Sequence, residues 1–335
     1  MTFRRQWAVI ALVAVTAMLA AACSNVGSGG ASSSASAGAN PANANITIKL
    51  AVNGWVGAAA NAGLAKDLLE KLGYKVELVK IDEFAQFPAL ARGQLDATLE
   101  VWPSGHGADY KKYIQGNAGV IDAGKLGVIG QIGWWLPTYM VQEHPELATW
   151  QGLNKNASLF ATAETGSQGQ LLDGDPSYVT FDGEIIKSLG LNYKVVYAGS
   201  EAAELTEVKQ AFANKSPVLL YFWTPHWAQA KYDLTMVQLP EVTSACTNAA
   251  NNEGGKGYAC AYPQDDLYKA FNADLQTRAP QAFALLSAIN YTNDDQNGIG
   301  LDISAGMSPE AAAQKWLDAN PTKWQPWMDT ANAAG

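Results

Sequence analysis

The 335-residue chain carries a net charge of −9 and eleven tryptophans, but only three histidines. The acidic balance, with no basic patch of interleaved aromatics, argues against nucleic acid as a partner. The absence of HExxH, GxSxG and phosphate-cradling glycine motifs, together with so few histidines, argues against an enzyme and against a bound metal or cofactor.

Arg4 and Arg5 precede an apolar segment, Trp7 to Ala22, that runs into Leu19-Ala20-Ala21-Ala22-Cys23. Positive, apolar and small residues in that order make residues 1–22 an export signal, too short for a comfortable membrane span. The small residues directly before Cys23 resemble the lipobox of bacterial lipoproteins, although Leu19 stands one place early. The resemblance implies that Cys23 is lipidated and anchors the chain. Residues 23–45 are nearly all Ser, Ala, Gly and Asn and read as a flexible tether. About 290 residues remain, enough for two domains.

From Ile46 the pattern is a strand (Ile46–Val52), a helix (Ala58–Leu72) and a second strand (Lys75–Ile81), a βαβ opening. A helix over Phe84–Arg92 follows, stopped by Gly93, and then a strand that ends at Trp102. Val128–Tyr139 is extended, so Trp134 and Trp135 face opposite sides and at least one is core. The alternation then restarts. Ser158–Ala161 reads as a strand, Phe181–Leu189 as a helix, Lys194–Tyr197 as a strand and Glu201–Ala213 as a helix. The apolar run Pro217–Leu220 leads into Tyr221-Phe222-Trp223-Thr224-Pro225-His226-Trp227. Late helices are predicted over Leu267–Thr277, Ala279–Ala288 and Pro309–Asn320, packed on the first unit. This restart predicts two α/β lobes, 46–139 with 240–335 and 140–239, joined by crossings near Tyr139 and Leu239. Cys246 and Cys260 bracket a short loop in an exported chain, which predicts a disulfide.

Ligands of open α/β folds sit past the carboxyl ends of strands. Trp102 and Trp223 both stand there, each before a proline-containing loop, which suggests one site with two aromatic walls. Trp55, at the first strand-to-helix turn, either reaches the same site or covers the helix start. Between Asp175 and Glu184, Thr180 or Asp182 is a candidate N-cap, and the free N–H groups of a helix start bind carboxylates. Tyr178 stands at the mouth of that anion site. Ring faces beside a carboxylate seat suit a quaternary ammonium zwitterion, because N-methyl cations have no N–H to donate. Of the remaining polar residues, His144 reads as a solvated loop residue, and His226 as either surface or cleft lining. Glu100 is either a cleft anion, which would favour a cation such as choline, or the partner of a nearby cation.

Glu-Val-Trp-Pro-Ser-Gly-His at 100–106, Gly-Trp-Trp-Leu-Pro-Thr-Tyr at 133–139 and Tyr-Phe-Trp-Thr-Pro-His-Trp at 221–227 resemble the glycine betaine/proline betaine substrate-binding proteins of ABC importers, over about residues 47–330. The resemblance implies a bilobal, type II periplasmic-binding-protein fold, a monomer, and an ABC permease with its ATPase as partners. It implies Trp102 and Trp223 as walls of an ammonium box. His106 becomes the carboxylate-facing imidazole, and Val179 and Thr180 the N–H donors. The third wall usually follows Asn-Pro-Gly; here Asp175-Pro176-Ser177 is followed by Tyr178, which keeps a weaker ring face. On this reading glycine betaine and proline betaine bind well. Choline, which leaves the carboxylate donors unpaired, binds less well. Choline, carnitine or ectoine as ligand, or sugar stacked on the tryptophans, are the alternatives.

Overall fold

Residues 40–246 and 258–335 are described by the structure, a computed structural model. The signal segment, Cys23 and the tether as far as residue 39 lie outside the described residues. The tether's predicted last residues are packed: Pro41–Asn45 form a 3-10 helix in which buried Asn43 donates to Leu72 O (2.8 Å) and Gln281 Oε1 (2.9 Å). Among the described residues no helix is long and apolar enough to cross a membrane.

Strands β1 (Thr47–Val52), β2 (Lys75–Lys80) and β3 (Ala97–Val101) are parallel, and helix α1 (Val56–Lys71) connects the first two. α1 buries Ala60, Leu64 and Leu68 completely, a four-residue spacing that keeps one face on the sheet. The predicted Phe84–Arg92 helix is a 3-10 turn, Glu83–Ala85, running into helix α2, Gln86–Ala91.

Strand β4 (Val120–Pro137) is eighteen residues long and joins the two parts of the molecule. Its first part pairs antiparallel with β9 (Gln264–Asn272), from Val120↔Asn272 to Gln131↔Gln264. Its last part pairs antiparallel with β7 (Leu220–Thr224), from Gln131↔Thr224 to Trp135↔Leu220, and with the short β8 (Leu234–Met236). Beyond β7 lie β5 (Gly169–Asp173) and β6 (Tyr193–Tyr197), parallel to each other, so the strand order is β2-β1-β3-β9-β4-β7-β5-β6 with β8 on β4.

Two findings correct the lobe boundaries. The described strands form one hydrogen-bonded path through β4, and the change of partner falls at Gln131 rather than near Tyr139. The chain also returns later than Leu239. The Tyr262 hydroxyl accepts from Phe181 N–H (2.6 Å) and donates to Asp182 Oδ1 (3.0 Å), so this residue sides with the second lobe. The return to the first lobe begins with β9.

The Leu267–Thr277 helix is instead mostly β9, followed by a short helix at Leu275–Arg278. β9 is hydrogen-bonded to β3 on one side and β4 on the other, and this tertiary pairing overrides local preference. Residues Ala157–Phe160 likewise form a 3-10 turn, not a strand; the strand of that unit is β5. Helix α3 (Asp182–Leu189) and helix α4 (Glu201–Asn214) cover the second lobe. Helix α5 (Pro280–Ala288), α6 (Asn293–Ser304) and α7 (Pro309–Ala319) follow β9, and α6 and α7 pack on α1 in the first lobe. Cys246 and Cys260 are disulfide-bonded, with Cα atoms 6.3 Å apart.

Candidate functional site

The carboxyl ends of β1, β2, β3, β5 and β7 converge on one cavity. Its wall is Trp55, Glu83, Trp102 and Gly105 from the first part of the chain, Ile132 on β4, and Tyr178, Val179, Tyr221 and Trp223 from the second. The three tryptophans and Tyr221 are buried against the protein. Tyr178 stands edge-on to Trp55 (ring centroids 5.7 Å apart, 77°) and to Trp223 (5.8 Å, 90°). Trp55, left open between two roles, therefore lines the cavity.

The indoles are held from behind. Glu100 Oε1 accepts hydrogen bonds from Trp55 Nε1 (2.7 Å) and Trp102 Nε1 (3.1 Å), while its Oε2 accepts from Asn61 (2.5 Å) and Gln296 (3.4 Å). Glu100 is thus neither a cleft anion nor the partner of a cation; it orients two walls by their N–H edges. Burial pushes its carboxyl up to about 7, against the hydrogen bonds from Trp55, Trp102 and Asn61. Two glycines make the close packing possible. A Cβ on Gly130 would stand 2.2 Å from the Trp102 ring, and one on Gly57 would stand 2.7 Å from Glu100 Oε2.

The opposite wall differs from expectation. His106 is buried and does not line the cavity. Its Nε2 stands 2.9 Å from Glu83 Oε1 and its Nδ1 2.9 Å from Asp109 Oδ2. Burial opposes its charge, but the hydrogen bonds and charges of Asp109 and Glu83 outweigh burial and raise it to about 9, so both ring nitrogens donate at neutral pH. Val179 N–H donates to Glu83 Oε2 (2.8 Å). Two of the three groups assigned to a ligand carboxylate, His106 and Val179, are therefore taken by Glu83. Thr180 is off the cavity wall, with its hydroxyl 3.4 Å from Asp173. Neither Thr180 nor Asp182 caps α3. Phe181 holds the N-cap place and gives its N–H to the Tyr262 hydroxyl (2.6 Å), while buried Asp182 accepts from Trp134 Nε1 (2.7 Å) and Tyr262 (3.0 Å).

His226 is buried rather than at the surface, with Nε2 3.1 Å from Glu201 Oε1 and Nδ1 accepting from Ala228 N–H. Glu201 Oε2 accepts Val56 N–H (2.8 Å) and Tyr178 OH donates to Gly54 O (3.0 Å), so hydrogen bonds tie the two lobes beside the cavity. Below Tyr178 lie Asp173, Asp182 and Glu204, all fully buried. Burial, then the charge of Asp182, pushes Asp173 up to about 8, and burial pushes Asp182 to about 7 and Glu204 well above the usual range.

Glu83 and Tyr221 are the wall residues that sequence reasoning missed. Tyr221 lay within the aromatic motif. Glu83 carried a readable signal: it follows β2 directly, at another carboxyl end of the parallel sheet.

The match to known proteins is broad. The family model of the substrate-binding domain of ABC-type glycine betaine transport systems matches residues 46–319. The trimethylamine N-oxide-binding protein of Pelagibacter ubique (strain HTCC1062) is 26% identical over 301 residues, 86% of this chain and 92% of that one. Among solved structures, lactococcal OpuAC, closed on glycine betaine, superposes with a TM-score of 0.68 at 20% identity, over 85% of this chain and 100% of that one. A choline-binding ABC-transporter protein in complex with choline superposes at 0.69 with 19% identity, over 88% and 98%. These likenesses fix the architecture as the type II periplasmic-binding-protein fold. With its family model matched from Ile46 to the end of α7, the chain belongs to the substrate-binding domains of ABC-type glycine betaine transport systems.

Proposed function

We propose that this chain captures an N-methylated ammonium solute in the cavity walled by Trp55, Trp102, Tyr178 and Trp223, and presents it to an ABC permease and its ATPase. The observation that carries the reading is the pair of indole N–H edges tied to Glu100, which leaves ring surface to line a cavity free of lysine and arginine. Ring faces hold a cation that has no N–H by its charge alone, at about 1 to 2 kcal/mol each when desolvated. A monomer anchored through a lipid on Cys23, outside the cytoplasm, is consistent with the export-type N-terminus. The cavity binds and releases its solute unchanged, and no metal or cofactor takes part.

Hydrogen bonds from Tyr178 to Gly54 and from Val179 to Glu83 span the lobes at the cavity, so binding and cleft closure are coupled through the same residues. Calorimetric titration of choline, glycine betaine, proline betaine, carnitine and trimethylamine N-oxide tests the reading. At least one binds, and Trp223→Ala weakens it about tenfold or more. A panel without binding, or a Trp223→Ala variant with unchanged affinity, removes the assignment. X-ray scattering with and without the bound solute should differ; identical curves contradict coupled closure.

A further inference from the structure

Glu83 is the only acidic or basic side chain lining the cavity among the described residues. It is buried, and both of its oxygens are engaged on the protein side, one by the His106 ring and the other by Val179 N–H. Several of the donors that ring the cavity are committed elsewhere. Trp55 and Trp102 give their N–H groups to Glu100, Tyr178 gives its hydroxyl to Gly54 O, and His106 is spent on Glu83 and Asp109. A ligand pole entering this end meets a carboxylate with lone pairs to spare, since a carboxylate has about four acceptor sites. A second carboxylate brought by the ligand would face it as a like charge, and like charges set against each other in a closed site repel.

Glu201 and Asp175 act on Tyr178, and the His106 ring is already paired with Glu83 and Asp109.

We propose that Glu83 occupies the seat of a ligand carboxylate, so that this site selects a quaternary ammonium cation whose other pole is a hydrogen-bond donor, of the choline class, over carboxylate-bearing betaines. The proposal rests on the reading of the aromatic cavity as the ligand site. The rings hold the ammonium group, and Glu83 accepts the hydroxyl hydrogen and supplies the opposing charge. It is a specificity-determining residue, distinct from Glu100, which touches only the backs of the indoles.

The test is a titration at neutral pH of choline, glycine betaine and trimethylamine N-oxide into the unaltered chain and into Glu83→Gln. On the unaltered chain choline binds at least about tenfold tighter than glycine betaine or trimethylamine N-oxide. In Glu83→Gln, which keeps the shape and removes the charge, choline weakens and that gap narrows. Glycine betaine or trimethylamine N-oxide binding as tightly as choline to the unaltered chain overturns the proposal even if the variant does not fold. A gap that persists undiminished in a folded Glu83→Gln also overturns it. Either result leaves the aromatic cavity standing if Trp223→Ala still weakens whichever ligand binds. If none of the three binds, both the cavity assignment and the selectivity fail together.

Discussion

Two buried glutamates stand on opposite sides of the same cavity, and each is surrounded by donors. Glu100 receives indole, Asn61 and Gln296 N–H groups and lies behind the rings; Glu83 receives His106 and Val179 and faces the void. The difference is one of direction. A carboxylate whose neighbours are neutral donors is driven toward its protonated form by burial, as Glu100 is, and its value is in fixing geometry. A carboxylate paired with an imidazolium keeps charge at the wall and can act on a ligand. One chemical group thus builds the box in one place and reads the ligand in another.

The largest effect expected from breaking this arrangement comes at His106. His106→Ala leaves buried Glu83 without its cation and Asp109 without its partner, a loss of about 3 to 5 kcal/mol. It should appear in thermal unfolding as a drop in Tm on the order of 10 °C. An unchanged Tm would mean that the pair is not formed in solution. Next is Glu100→Ala, which strips acceptors from Trp55, Trp102, Asn61 and Gln296 and should cost about 3 kcal/mol. Because it loosens two walls and not the Glu83 pole, all ligands should weaken by a similar factor in calorimetry. A selective loss would assign Glu100 a part in ligand reading.

Smaller, and specific to the Glu100 side, is a dependence on pH. Its carboxyl is raised to about 7, so the folded chain holds a proton that the unfolded chain releases near the ordinary carboxylate value. The stability this gives is complete below that ordinary value and is lost as pH rises through about 7. Between roughly pH 5 and 8 it amounts to about 2 to 3 kcal/mol for this one group. Asp182 and Asp173, at about 7 and about 8, act in the same sense. Denaturant midpoints should therefore fall across that range, and less steeply in Glu100→Gln. A rising midpoint would contradict the burial argument.

Most of the architecture was readable where periodicity and punctuation agree. α1, α4 and the strands leading to Trp102 and Trp223 all lie close to where alternation and glycine stops put them. β9 was not readable, because Leu267–Asn272 becomes a strand only through partners on both edges, which local sequence does not carry. The lobe boundary was misplaced for a related reason: eighteen residues of β4 serve two sets of partners, and nothing in Val120–Pro137 marks Gln131 as the point of exchange. At the site, the aromatic walls Trp102, Tyr178 and Trp223 could be read from strand ends and motif. The polar end could not be carried over in the same way, because a residue from a different loop, Glu83, fills the seat that His106 and Val179 would otherwise offer.

The central claim is that ring faces hold a positive charge, and it is tested most directly by removing that charge without changing shape. Choline and glycine betaine, each titrated beside its carbon isostere with a quaternary carbon in place of nitrogen, isolate this term. The account predicts that whichever of the two binds best exceeds its carbon isostere by at least about tenfold. An isostere that binds as tightly as the ammonium compound would show that the cavity recognises only apolar bulk, and would contradict the assignment of Trp55, Trp102, Tyr178 and Trp223 as a cation box.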